Sequence, residues 1–307
     1  PRIVIIAGLM MLSTAQAEEV QLRLGDLTLN AQLRTAGQSW PQGPVILITH
    51  GTLAHNGMEI VATLQTLFQE RGISSLAINL SLGLDNRHGM YPCKTAHRHK
   101  HTDALNEIGA WLGWLKSQGA ERVVLLGHSR GGNQTAWFAA EKPDPLVTHV
   151  VLVAPATWDG DREAADYSDR YGRPLEPIRA NAQKMIASGA GKQLMEHVDF
   201  IYCQDTSVTA DAFADYYALE PRMDTPYLLP EIEQPVLIFI GSEDQVIKGL
   251  SQAVTPLAES GGIQVELIDG ADHFFRDLYA EDLAASVVEF IRQPYTGQRK
   301  ATVKRSL

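Results

Sequence analysis

The sequence predicts an α/β fold, a largely parallel sheet covered by helices on both faces, and three observations carry that prediction. Short continuous apolar runs, rich in Val, Ile and Leu, recur at 45–48, 74–79, 122–126, 150–153, 236–240 and 264–268. Strands buried on both faces read as unbroken apolar runs of this length. Amphipathic stretches with helical period separate them, at 57–70, 102–117, 131–141, 248–260 and 278–292. Alternation of the two kinds is the pattern of strands joined by helical crossovers.

The elements follow in chain order. Arg2, an apolar run at 3–12 and the triplet Ala15-Gln16-Ala17 form a basic start, a short hydrophobic stretch and a small-residue cleavage site. Residues 1–17 therefore read as a signal peptide, with export to a periplasm or the outside of the cell as the expected fate. Segments 20–24 and 27–34 alternate apolar and polar about Gly25-Asp26, a hairpin signal that supplies an antiparallel edge. The strand–helix alternation then runs to 153 and resumes at 236. The stretch between is too long for a loop. It carries helical patterns at 176–188, 192–200 and 210–218. Residues 157–230 are thus expected to form a helical cap inserted into a core of 18–156 and 231–293. The polar, basic tail is 294–307.

Composition narrows the partners. A formal net charge of −10 argues against nucleic acid and anionic membranes. No apolar stretch after the signal is long enough to span a bilayer, so a membrane span is not expected in the mature chain. Oligomeric state is not readable. The two cysteines, Cys93 and Cys203, are open to two readings, a disulfide in an oxidising compartment or a pair of free thiols.

One motif sits where chemistry needs it. Gly127-His128-Ser129-Arg130-Gly131 lies between the run at 122–126 and the helix beginning near 131. A serine on so sharp a strand-to-helix turn is presented at the carboxyl edge of the sheet, over a helix N-terminus that favours negative charge. A serine hydroxyl needs a base. His273, directly after the last strand, is the candidate among ten histidines. Asp244, just beyond the strand at 236–240, is the candidate to orient it, with Glu243 and Asp272 as competitors. Backbone N–H groups of Thr52 and Arg130 are placed to hold a developing oxyanion. Leu53, His128, Tyr216 and Tyr217 are expected beside the substrate, although the tyrosines equally suit packing within the insertion.

These motifs, with His50-Gly51, Gly241-Ser242-Glu243-Asp244 and Gly270-Ala271-Asp272-His273, span roughly 45–292. Through them the chain resembles a serine esterase of the α/β-hydrolase superfamily with an inserted helical cap. The resemblance implies the α/β-hydrolase fold, Ser129, His273 and Asp244 as catalytic residues, Thr52 as an oxyanion donor, and no cofactor. A small-molecule ester substrate is expected, and the inserted cap with the acidic balance of the chain suggests one of small to medium size, uncharged or cationic. A thioesterase or amidase using the same triad, and a non-catalytic ligand-binding protein of this fold, are the alternatives. His-Gly is followed here by Thr52-Leu53 and not by a glycine-rich run, which departs from lipases acting on bulky tertiary-alcohol esters. The histidines at 97, 99 and 101 have the alternation of a metal ligand set. However, Arg98 and Lys100 repel a cation, so the segment reads as a polar loop entering a helix capped at Thr102-Asp103 and no metal is expected.

Overall fold

Eight strands form the central sheet of the computed structural model, which describes residues 17–37, 40–258 and 262–293. The expected signal peptide, apart from Ala17, and the tail at 294–307 lie outside the described residues. Strands β1 (Glu18–Leu24) and β2 (Leu27–Arg34) pair antiparallel from Leu24 opposite Leu27 outward, so the Gly25-Asp26 hairpin forms as expected. The sheet continues through β3 (Pro44–Thr49), β4 (Ser74–Asn79), β5 (Arg122–His128), β6 (Val147–Val153), β9 (Val236–Gly241) and β10 (Ile263–Ile268). Their spatial order is β1-β2-β4-β3-β5-β6-β9-β10, parallel from β4 onward.

The pleat divides the apolar strands between two cores. Val45 and Leu47 of β3 face one layer, with Trp111 of helix α2 (Asp103–Ser117) and Trp137 of α3 (Arg130–Glu141). Ile46 and Ile48 face the other, with Leu64 and Phe68 of α1 (Glu59–Glu70) and Val287 of α9 (Leu278–Arg292). Burying each such side chain stabilises the fold by about 1.5–3 kcal/mol. Both faces must therefore be covered, and this is why the strands are apolar without alternation.

The segment between β6 and β9 carries α4 (Gly160–Tyr171), α5 (Glu176–Ala187), β7 (Leu194–Phe200), β8 (Cys203–Thr209), α6 (Ala210–Tyr216) and a short helix α7 (Thr225–Leu228). It corrects one expectation. Residues 192–200 are not helical: β7 pairs antiparallel with β8 in a separate hairpin. The turn between them is Ile201-Tyr202, with Ile201 at φ 55°, which lacks the usual Gly or Asn turn signal. Tertiary contacts hold it instead. Ile201 N–H donates to the Tyr217 hydroxyl at 2.9 Å, and its carbonyl accepts from Arg170 at 2.9 Å. A disulfide joins Cys203 to Cys93 with the Cα atoms 5.2 Å apart, resolving the cysteine question toward pairing. It ties the loop before α2 to this hairpin, beside a bridge in which Thr209 N–H donates to His97 O.

Helix α8 (Leu250–Ala258) packs Leu250 and Val254 into the first core. Among the described residues no helix is long and apolar enough to cross a membrane.

Candidate active site

The strand–turn–helix at 122–141 places Ser129 at the carboxyl edge of β5. Ser129 has φ 57° and ψ −125°, a conformation that L side chains rarely adopt. The bends on either side are possible only without side chains. A Cβ on Gly127 falls 2.3 Å from Gly131 O, and one on Gly131 falls 2.2 Å from His50 O. The second contact also fixes the loop after β3, so Thr52 and Ser129 line the same two cavities.

His273 follows β10 and Asp244 follows β9, and parallel pairing of those strands brings the two loops together. His273 Nδ1 donates to Asp244 Oδ2 at 2.8 Å, with both side chains about 5% exposed. The other carboxylate oxygen accepts the Val246 and Ile247 amides at 2.7 and 3.0 Å. Burial opposes ionisation of Asp244, but the His273 bond and these amides outweigh it, and the pKa lies below the usual carboxylate value. Because Asp244 can only accept, neutral His273 carries its proton on Nδ1 and presents a lone pair at Nε2. His273 and Ser129 line one cavity. Of the competitors, Asp272 is turned to Phe274 N–H and Arg276, and Glu243 is exposed.

His128 donates from Nε2 to the His273 carbonyl at 2.9 Å and lines that cavity. Burial, then the neighbouring His273, pushes its pKa down to about 4. His50 is structural. Its Nε2 accepts Leu80 N–H at 3.0 Å, so Nδ1 donates to Gly51 O at 2.9 Å and stiffens the loop. Leu53 differs from expectation: it is 5% exposed, packs in the core beneath and lines neither cavity. Its backbone turns inward at φ 53°, with its carbonyl accepting Tyr91 N–H at 3.0 Å. Tyr216 and Tyr217 do line a cavity beside Ser129, and both also pack against Phe200 within the insertion.

The histidine run is buried, not a polar loop. His97 Nδ1 lies 3.2 Å from His99 Nε2, and His99 Nδ1 lies 2.9 Å from the Tyr216 hydroxyl. His101 Nε2 meets Asn133 Oδ1 at 2.9 Å. Thr102 does not cap α2 with its side chain. Its hydroxyl donates to Asp215 at 3.1 Å, while Asp103 accepts Lys100 N–H at 2.7 Å. No cluster of three or more His, Cys, Asp or Glu suited to a metal ion occurs among the described residues.

Sequence reasoning missed α4, which brings Arg162, Glu163 and Arg170 to the second cavity. The helix is strongly polar in overall composition and buries only Tyr167, so its short apolar face does not stand out in the sequence. Its caps were the available signal. Asp159 accepts Arg162 N–H at 2.9 Å, and Gly172 ends the helix at φ 67°.

A family model described as the alpha/beta hydrolase family matches residues 45–286, and the chain belongs to that family. No curated sequence matches it. Among solved structures, ferulic acid-bound Est1E from Butyrivibrio proteoclasticus is 17% identical with a TM-score of 0.63, covering 89% of this chain and 97% of that one. The esterase domain of a Rhodothermus marinus protein is 16% identical with a TM-score of 0.59, covering 91% and 98%. The Pyrococcus furiosus esterase Pf2001 is 16% identical with a TM-score of 0.58, covering 96% and 97%. Likeness at this identity establishes the shared fold.

Proposed function

We propose that the chain is a serine carboxylesterase acting through an acyl-enzyme on Ser129. Ser129 Oγ attacks the ester carbonyl carbon while its proton passes to His273 Nε2. Thr52 and Arg130 N–H groups hold the tetrahedral oxyanion. As the intermediate collapses, the C–O bond to the alcohol breaks and His273 returns the proton to the leaving oxygen. A water activated by the same imidazole then releases the acid. Asp244 holds His273 in the required tautomer and stabilises the imidazolium. No cofactor enters the scheme.

The observation that carries this reading is the 2.8 Å bond to Asp244 from His273, which lines a cavity together with a serine in strained backbone. Cavities of about 310 and 170 Å³ meeting at Ser129 suit esters of small to medium size. The three structural relatives are named as esterases or as an esterase domain, or bind ferulic acid, which agrees with this class. We also propose export, supported by the N-terminal sequence pattern and by a disulfide suited to an oxidising compartment.

The test is hydrolysis of p-nitrophenyl esters from acetate to palmitate by wild type and Ser129→Ala. Turnover of short or medium chains that disappears in the variant supports the reading. Equal turnover in both removes Ser129 from the mechanism, and inactivity of both directs attention to thioesters, amides or a receptor.

A further inference from the structure

We infer that the acyl half of the substrate carries a carboxylate, and that the Arg130 side chain selects it. The inference rests on the esterase reading above and adds the substrate class. Its first step is orientation. The imidazole that takes the serine proton must deliver it to the leaving oxygen, so the leaving alcohol faces His273. His273 lines the larger cavity, whose walls include Met58, Ile60, Val61, Met90 and Phe274, and does not line the smaller one. The alcohol is therefore the apolar half. The acyl chain extends from Ser129 into the smaller cavity.

That cavity is charged. Arg130, Arg162 and Arg170 line it, together with Asp159, Glu163 and Asp166. Each carboxylate has a hydrogen-bond or ion-pair partner other than these guanidiniums. Asp159 caps α4, Glu163 accepts the Trp158 indole N–H, and Asp166 pairs with Lys248 at 3.3 Å. Burial raises the Glu163 pKa, and the nearby Arg130 charge partly offsets that rise, so Glu163 also neighbours this guanidinium. The hydrogen bonds of the guanidiniums go to neutral groups. Arg162 donates to the Thr157 hydroxyl at 3.3 Å and Arg170 to Ile201 O at 2.9 Å.

Arg130 is held in place beside the nucleophile. Its Nε donates to the Thr52 hydroxyl at 3.0 Å, and its guanidinium lies 5.2 Å from the Tyr216 ring centroid. Asn133 Nδ2 donates to Arg222 O and Met223 O, so its oxygen faces His101 Nε2, which must donate. His101 Nδ1 is thereby left to accept from Arg130 at 3.4 Å. Burial and the Arg130 charge push the His101 pKa down to about 3, keeping that acceptor neutral. Two of the five guanidinium donors are thus used among the described residues. A carboxylate recognises the remaining fork in bidentate fashion. The chain's net charge of −10 does not oppose this. Exposed charges more than about 8 Å away are screened at physiological ionic strength, and the local guanidiniums decide.

The test compares kcat/KM for monobenzyl glutarate, benzyl hexanoate and 4-carboxybenzyl hexanoate, following release of the alcohol chromatographically. Wild type should favour the glutarate monoester over benzyl hexanoate by about tenfold or more, chiefly through KM, as a charge-assisted hydrogen bond implies. The carboxybenzyl ester should show no such gain. Arg130→Gln should bring the glutarate-to-hexanoate ratio close to one, and Arg130→Met serves if that variant fails to fold. A wild-type ratio at or below one, a gain for the carboxybenzyl ester, or a ratio unchanged in the folded variant overturns the inference. If wild type turns over none of the three, the esterase reading fails separately. Calorimetric binding of the two benzyl esters to Ser129→Ala then decides the pocket's preference, and equal affinity overturns it.

Discussion

His273 Nδ1 donates to Asp244 Oδ2 at 2.8 Å, across two loops that β9 and β10 carry to the same edge of the sheet. The bond fixes which imidazole nitrogen can act as base. Asp244→Asn offers an amide in place of an obligate acceptor and permits the wrong tautomer. Turnover should fall on the order of 10³–10⁴-fold with little change in KM, read by steady-state kinetics on a short-chain ester. A loss of less than about tenfold would remove Asp244 from that role.

Gly131 packs its Cα against the carbonyls of Thr49 and His50, where a Cβ would stand 2.6 and 2.2 Å away. Both obstacles are backbone, so neither can rotate aside. Gly131→Ala should lower stability by about 1–3 kcal/mol or more and depress turnover by shifting Thr52 relative to Ser129. Urea denaturation and ester kinetics on the same preparation test it. Unchanged values in both would mean that the loops do not approach this closely.

The Cys93–Cys203 bond closes a sequence separation of 110 residues and anchors the turn at Ile201-Tyr202 beside both cavities. Replacing both cysteines with serine should cost about 2–5 kcal/mol. Thermal unfolding of the double variant, and of wild type with and without a thiol reductant, measures this. Activity should fall along with stability, because Tyr202 lines the mouth of the site.

Glu107 is 4% exposed and accepts the Ser81 hydroxyl and amide at 2.5 and 2.8 Å. Burial pushes its pKa up from 4.5 to about 7, partly offset by those bonds. Between pH 4.5 and 7 the folded state therefore binds more protons than the unfolded one, and this group's stabilisation is lost as pH rises through that window. The upper limit is about 3 kcal/mol. Glu107→Gln should match wild type near pH 4.5 and become the more stable protein by pH 8. Tm values that track each other over the whole range would show that Glu107 does not titrate this way.

Much of this architecture is local and was legible. Buried parallel strands need unbroken apolar runs, so β4 and α9 fall at the residues the sequence marks. The serine turn was legible for a related reason: only glycine fits at 127 and 131, so the constraint is written in the residues themselves. The insertion was less so. Residues 194–200 carry a helical pattern but pair as a strand because Tyr217, Arg170 and the disulfide hold a turn that the sequence of Ile201-Tyr202 does not encode.

The division between sequence and structure follows the range of the forces involved. Periodicity, turn chemistry and steric need for glycine act within a few residues, and they determined the α/β class, the order of the elements and the position of Ser129. Contacts between distant segments were decided only by the tertiary structure. The structure bonds His273 to Asp244, the carboxylate the sequence already favoured, and turns that of Asp272 to Phe274 and Arg276. Leu53 turned into the core, the histidines at 97, 99 and 101 became buried packing, and α4 delivered its arginines to the cavity. Each of these depends on which group lies nearest in space, and sequence spacing does not carry that distance.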